Sequence, residues 1–237
     1  MKERRLVVGL EAVSELRDRS GGWQPEPVAA ATLATLSGAD AVSLALQSEG
    51  GRVQERDARL LRETLPRAFG LEIAAHTALV RLALEVRADW VVISERRPGD
   101  ERRGAAVDLL AQTAALGEVL RALEDAKVAT HVCVAPDFDQ LKTAHRMGAS
   151  GVRIDTTRYA QGPALDDEEL RRIGDAARFA HKLGLAVSAG GALDYQSVRG
   201  VASQADVRTL HVGRAVVARA VLVGLERAVR EMRALVA

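Results

Sequence analysis

The chain has 237 residues, 48% hydrophobic and 27% charged, which excludes a disordered chain and leaves one large α/β barrel or two small domains. Lys plus Arg number 33 against 32 Asp plus Glu, so a formal charge of +1 provides no field to draw the protein onto nucleic acid. An aromatic content of 3% makes a base-stacking surface improbable, and a single cysteine, Cys133, excludes an internal disulfide framework and any cysteine-built zinc site.

Short apolar runs recur along the chain, each followed by a segment of helical period. They are RLVVGL from Arg5, AVSLAL from Ala41, LEIAAH from Leu71, WVVIS from Trp90, THVCVAP from Thr130, GVRIDT from Gly151, LAVSAGG from Leu185 and VRTLHVG from Val207. The first run, within MKERRLVVGLEAVSELRDR, is too short for a signal peptide, and no stretch approaches the roughly 20 apolar residues that span a bilayer. A cytoplasmic location without membrane contact is therefore expected. Intervening stretches such as PVAAATLATLSGAD and DEELRRIGDAARFAHKLG place apolar residues at i, i+3, i+4 and i+7, and Gly38, Gly148 and Gly184 stand where a C-cap glycine would stop a helix. Eight strand-helix units at about 30 residues each are the arithmetic of a (β/α)8 TIM barrel, a single domain over 1–237.

Two segments break the even spacing. SERRPGDERRGAAVD, after the fourth strand, reads as an Arg-rich loop over 96–103, either a lid or a solvated charge run, before a long helix over 107–127. TRYAQGPALDDEE, after the sixth strand, reads as a second long loop with Asp166 as the next N-cap. The last helix, 214–235, is longer than a barrel layer needs, and its Leu/Val stripe is suited to a partner subunit. Cys133 sits in the apolar HVCVAP and reads as a buried strand thiol.

Alternation along the strands separates an apolar set from a polar one that would face the barrel interior: Gly9 and Glu11; Ser43, Ala45 and Gln47; Glu72, Ala74 and His76; Arg153 and Asp155; Ser188 and Gly190; His211 and Gly213. Buried charges must pair or meet a ligand, so Glu11, Glu72, Arg153 and Asp155 form either an internal ion network around Arg153 or a functional mouth. Gly190 and Gly191 precede one helix and Gly213 another, in the two loops with which barrels often bind phosphate; Arg214 stands beside them to supply charge-assisted bonds. His76 is either an acid, base or phosphate contact near Glu72 or a polar helix-start residue. His145 and His181 read as surface residues, and His131 falls near the start of its strand, the end away from chemistry. No spacing of His, Asp or Glu makes a metal site, and none of the four lysines ends a strand, which disfavours a Schiff base.

These residues carry a resemblance over nearly the whole chain. LRDRSGGWQPEPVAAA, SGADAVSL, LRETLPRAFGLEIA, SERR, FAHKLGLAVSAGGALDYQSV and VGRAVVARAVLVGLERAVREMRAL, in that order and spacing, resemble the pyridoxine 5′-phosphate synthase family. The resemblance implies a barrel enzyme that joins 1-deoxy-D-xylulose 5-phosphate to 3-amino-2-oxopropyl phosphate. It implies no metal or organic cofactor, and a homo-oligomer between dimer and octamer. Its catalytic residues carry over incompletely. An Asp-His pair after strand one is Glu11 and Ala12 here; a histidine, an arginine and a second histidine around strand two become Ala45, Gln47 and Arg52. Glu72 matches the family's general base. The Glu and His of strand six become Arg153 and Asp155, with Thr156 and Tyr159 retained; the loop-seven histidine is Gly191, and a Gly-His after strand eight is Gly213 and Arg214.

Ring closure needs several proton transfers, each worth about 10²- to 10⁴-fold, and several of the groups are replaced together. The favoured reading is a diverged member that binds phosphate or a phosphorylated small molecule at Arg17, Gly190, Gly191, Gly213 and Arg214, with Glu11, Gln47, Arg52, Arg153, Asp155 and Thr156 as a polar network, and that acts as a binding, regulatory or scaffold protein. The alternative is an enzyme, using His76, Arg52 or Arg214 as substitutes or performing a simpler reaction on a phosphorylated small molecule.

Overall fold

The computed structural model describes residues 4–46, 55–65, 68–95, 105–162 and 165–237. Eight parallel strands, β1 (Arg5–Gly9), β2 (Ala41–Ala45), β3 (Phe69–Ile73), β4 (Trp90–Ile93), β5 (Ala129–Val134), β6 (Gly151–Asp155), β7 (Ala186–Gly190) and β8 (Thr209–Val212), pair in sequence order, and β8 returns to β1 to close the barrel. The helices are α1 (Glu11–Ser20), α2 (Pro27–Leu36), α3 (Glu55–Thr64), α4 (Thr77–Glu85), α5 (Thr113–Asp125), α6 (Phe138–Arg146), α7 (Thr157–Ala160), α8 (Asp167–Lys182), α9 (Val198–Ala202), α10 (Arg214–Val223) and α11 (Leu225–Val236). The chain is thus a TIM barrel, as the count of apolar runs predicts. Among the described residues no helix is long and apolar enough to cross a membrane.

Strict alternation divides each strand between two environments. Leu6 and Val8, Val42 and Leu44, Leu71 and Ile73, Val132 and Val134, and Val152 and Ile154 face outward and join the helices in the core between sheet and helical layer. The inward set mixes small and polar residues with a few apolar ones, Val7, Trp90 and Val92. At the lower end of the barrel the Trp90 indole lies so close over Gly70 that a Cβ there would sit 2.1 Å from the ring, and His131 crosses to Gly151. Sequence reasoning assigned no inward face to β4 or β5, because both read as continuous apolar runs.

The helix-to-strand turns carry a repeated device. Gly38, Arg87 and Gly148 each take a positive φ at the end of a helix, and two residues later Asp40, Asp89 and Ser150 stand immediately before the next strand. Each of these three donates its backbone N–H to the carbonyl of Leu6, Phe69 or Thr130, and its side chain accepts the N–H of that same residue at 2.7, 2.9 and 3.1 Å. The reciprocal pair ties an odd strand to the even strand after it. Asp40 also receives Arg233 of α11 at 2.9 Å, which closes the last helix over the barrel floor.

Two helix boundaries differ from expectation. The segment 107–127 is not one helix: the Val107 N–H donates to the Cys133 carbonyl as extended chain, Asp108 accepts the N–H groups of Leu110 and Ala111 in a local turn, and α5 starts only at Thr113. The segment 214–235 is broken at Gly224 (φ 82°, ψ 153°), a backbone geometry outside any helix, so α10 and α11 fold against each other. Asp166 is the N-cap of α8, accepting the Glu168 N–H at 2.8 Å, and Gly184 carries the expected positive φ at the end of that helix.

Candidate functional site at the barrel mouth

The C-terminal ends of the strands open onto a cavity of about 320 Å³ whose walls include Gly9, Glu11, Ser43, Glu72, Arg153, Gly191, Asp194, His211, Gly213 and Arg214. Five of these ten come from the inward faces of β1, β2, β3, β6 and β8, so alternation along the strands delivers them to one place. Glu11 opens α1, and the other four follow β7 and β8.

Arg153 dominates the interior. Its side chain rises from the middle of β6, is 6% exposed, and grips Glu72 of β3 through two parallel bonds, Nη1 to Oε2 at 2.5 Å and Nη2 to Oε1 at 2.7 Å. Burial by itself would raise the Glu72 carboxyl. The Arg153 charge and its hydrogen bonds, with one from Ser94, outweigh burial and hold Glu72 below the ordinary carboxylate range. The same guanidinium sets its other neighbours. Burial first, and then the Arg153 charge, depress His131 to about 4 and His211 to about 3, so both rings are neutral near pH 7. Burial pushes the Cys133 thiol up to about 12, which makes it an inert inward-facing group.

The loop after β7 is coupled to the start of α7. Asp155 accepts the Thr157 N–H at 2.9 Å and the Thr157 hydroxyl at 2.6 Å. Thr156 donates its N–H to the Gly190 carbonyl at 3.0 Å and its hydroxyl to the Gly191 carbonyl at 2.7 Å. Gly191 adopts φ +119°, and a Cβ there would lie 2.4 Å from Asp155 Oδ1 and 2.7 Å from the Thr157 hydroxyl. A side chain is excluded at that position by conformation and by space together. Across the mouth the Glu11 carboxylate lies against Gly9 and Gly213, where an added Cβ would come within 2.6 and 2.5 Å of its oxygens. Arg214, exposed on the rim at the first turn of α10, makes no ion pair among the described residues.

The structure therefore gathers Glu11, Glu72, Arg153, Gly191, Gly213 and Arg214 around one cavity, with Asp155, Thr156 and Gly190 directly behind its wall. Two predicted residues lie elsewhere. Arg17 is buried under α1, where Nη1 and Nη2 each donate to Asp57 at 2.8 Å and a further bond reaches Asp18; it does not line the cavity. His76 is the exposed N-cap of α4, its Nδ1 accepting the Ala78 N–H at 3.3 Å, which is the helix-start alternative. Gln47, Arg52 and the loop 96–103 fall outside the described residues. His211, Ser43 and Asp194 join the site. The first two were legible in the alternation, and Asp194 was not, because its local role is to cap the turn at Ser197 through bonds of 2.7 and 2.8 Å. Among the described residues no group of three His, Cys, Asp or Glu could hold a metal ion.

A closed parallel barrel with a polar cavity at its C-terminal end defines a (β/α)8 barrel protein whose site is built by the βα loops. More particularly, the chain belongs to the family described as pyridoxal phosphate biosynthesis protein PdxJ, whose model matches residues 6–237. It is 36% identical over 230 residues to pyridoxine 5′-phosphate synthase of Geotalea daltonii, covering 96% of each chain. It is also 36% identical over 235 residues to that of Syntrophotalea carbinolica, covering 98% of each. A 3-keto-L-gulonate-6-phosphate decarboxylase from Vibrio cholerae superposes with a TM-score of 0.64 over 100% of this chain and 98% of its own at 16% identity, a likeness of fold alone.

Replacing Arg153 by Met leaves Glu72 buried without a counter-charge, so chemical denaturation at pH 7 is expected to register a loss of about 3–5 kcal/mol. The double variant Glu72→Gln/Arg153→Met should lose clearly less, and equal losses would contradict the pairing. The histidines predict an acid response. His131 and His211 are neutral when folded but take up protons near the ordinary value of about 6.5 once unfolded. Stability therefore falls as pH drops from about 6.5 towards 4 and 3, by up to about 1.4 kcal/mol per pH unit for each ring. A His211→Gln variant should flatten that slope, measured by denaturation midpoints across the same window.

Proposed function

We propose that this chain is a PdxJ-family barrel that binds a phosphorylated small molecule at its mouth and does not close the pyridoxine ring. The observation that carries the reading is the two-bond pair between Glu72 and Arg153. The resemblance implies a glutamate at position 153, and two carboxylates sharing a buried site raise one another's proton affinity, which suits a general base. An arginine there does the opposite, turning Glu72 into the fixed half of an ion pair. Gly191 supports the same reading. The resemblance implies a histidine at that position, but its φ and the Asp155–Thr157 pair leave no room for a side chain.

Phosphate recognition draws on the Gly190–Gly191 loop, the amide end of α10 at Gly213, and Arg214. The Glu11 carboxylate beside Gly213 opposes an anion at that end, so the pocket favours a ligand whose phosphate lies towards Arg214. A functional role then follows from binding, as a regulatory or scaffold protein. The competing reading, that the chain performs the reaction its relatives are named for, is supported by their identity over nearly the whole length of both chains. A homo-oligomer fits either reading: of the ten residues of α10 only Val216 is fully buried, while Val221 and Leu222 are 75% and 78% exposed.

Incubated with 1-deoxy-D-xylulose 5-phosphate and 3-amino-2-oxopropyl phosphate, the protein is expected to form no pyridoxine 5′-phosphate by chromatography. Turnover in the ordinary range of about 1–10³ s⁻¹ would overturn that expectation. In the same preparation the substrates should raise the melting temperature, with the rise diminished by Arg214→Ala and enlarged by Glu11→Gln. Light scattering should give the mass of an oligomer, reduced by Val221→Asp/Leu222→Asp; an unchanged mass would remove α10 from the interface.

A further inference from the structure

At the floor of the barrel, opposite the mouth, a second cavity of about 640 Å³ opens between the starts of β1 and β8, the end of α9 and the end of α11. Three of its wall residues are arginines, Arg4, Arg199 and Arg208, with Ala237 after α11 on the same wall, and among the described residues no Asp or Glu side chain lines it. The β1–β8 register pairs Arg5 with Thr209, and the Arg5 N–H donates to the Arg208 carbonyl at 2.9 Å, so Arg4 and Arg208 stand side by side at the entry of two neighbouring strands.

Arg4 is the exceptional member. It is only 8% exposed, and its Nε is sealed from solvent with no hydrogen-bond partner. The other guanidiniums buried as deeply are each paired with a carboxylate through two parallel bonds, Arg17 with Asp57 and Arg153 with Glu72. The acid nearest the floor is already engaged, because Asp40 accepts both the Leu6 N–H and Arg233, and Arg233 also donates to the Arg4 carbonyl at 2.6 Å. Asp206, two residues before Arg208, forms no ion pair with any of the three among the described residues. Among the described residues Arg4 pairs with no carboxylate, and three guanidiniums gathered on one wall, one of them with a sealed and unpartnered Nε, favour an anion supplied from outside.

We propose that Arg4, Arg199 and Arg208 form a second anion site, separate from the mouth, for a small phosphate-bearing anion. Three guanidinium forks suit an oxyanion of more than one charge better than a monocarboxylate, and phosphate oxygens match their geometry. The cavity has room for a diphosphate or a phosphorylated metabolite. Four residues of strand separate Arg4 and Arg208 from the mouth glycines Gly9 and Gly213, roughly 16 Å at the rise of a parallel strand, so the two sites can be filled independently.

Inorganic pyrophosphate is the probe, with isothermal titration calorimetry on the full chain as the readout. Arg199 and Arg208 are exposed, so their replacement leaves the core intact. Arg199→Ala/Arg208→Ala is expected to weaken one class of pyrophosphate binding by at least about tenfold, while Arg214→Ala leaves that class unchanged. In Arg4→Met, a near-isosteric change that removes the buried charge, pyrophosphate should no longer raise the melting temperature through this class. The proposal is overturned if no binding is detected at millimolar pyrophosphate, if the double variant binds as the parent does, or if Arg214→Ala alone abolishes all binding. Because the mouth is tested by Arg214→Ala and the floor by the variants at Arg4, Arg199 and Arg208, failure at one leaves the other intact.

Discussion

A guanidinium drawn into a closed barrel gives up most of its water, and much of the interior is arranged around that fact. Arg153 needs a carboxylate in the same layer, and Glu72 is held across the barrel to provide it. The two histidines and the cysteine in the same layer are neutral. His131 and His211 are driven below their ordinary range by burial and by that charge, and the Cys133 thiol is kept protonated. The pair is a strong local constraint and a weak source of net stability, since the desolvation of two ions consumes much of their attraction. Together with burial, which is the larger cause, it holds the two histidines of the layer beneath the mouth neutral.

That fixed layer bears directly on chemistry. A base must exchange a proton in each cycle, and a carboxylate with both oxygens engaged by one guanidinium is poorly disposed to do so. The rim above it is coordinated with the change. Asp155 turns away from the cavity to cap α7, Thr157 joins it, and the space they occupy is the space a side chain at 191 would need. Position 153 thus pairs with 72, and 155 with 157 fills the space beside 191.

Much of this was legible in the sequence where period-two alternation is strong. The eight strands, the single domain, the C-cap glycines at Gly38, Gly148 and Gly184, and the inward set that contains Glu72, Arg153 and His211 follow from spacing alone. What was missed had a local pattern that another force overrode. The run THVCVAP reads as uniformly apolar, which concealed that His131 and Cys133 point inward. The Leu/Val stripe of 214–235 continues through Gly224, so periodicity did not reveal the break. Arg17 lies on the first helix after β1, near the mouth in sequence, but only the fold brings Asp57 to it from forty residues away. Local spacing says which face a side chain occupies, and it does not say which long-range partner has already claimed it.

The reciprocal bonds at Asp40, Asp89 and Ser150 have a consequence for assembly. Each joins residues only 34, 20 and 20 positions apart, so the entropy of closing these loops is small and two-strand modules can be stapled while the rest of the chain is still unstructured. The Asp40–Arg233 bond is of another kind, spanning 193 positions and meeting the first staple at the same carboxylate oxygen. One aspartate is thus both an early fastener and the latch of the finished ring, which makes it the point where local order is converted into global closure.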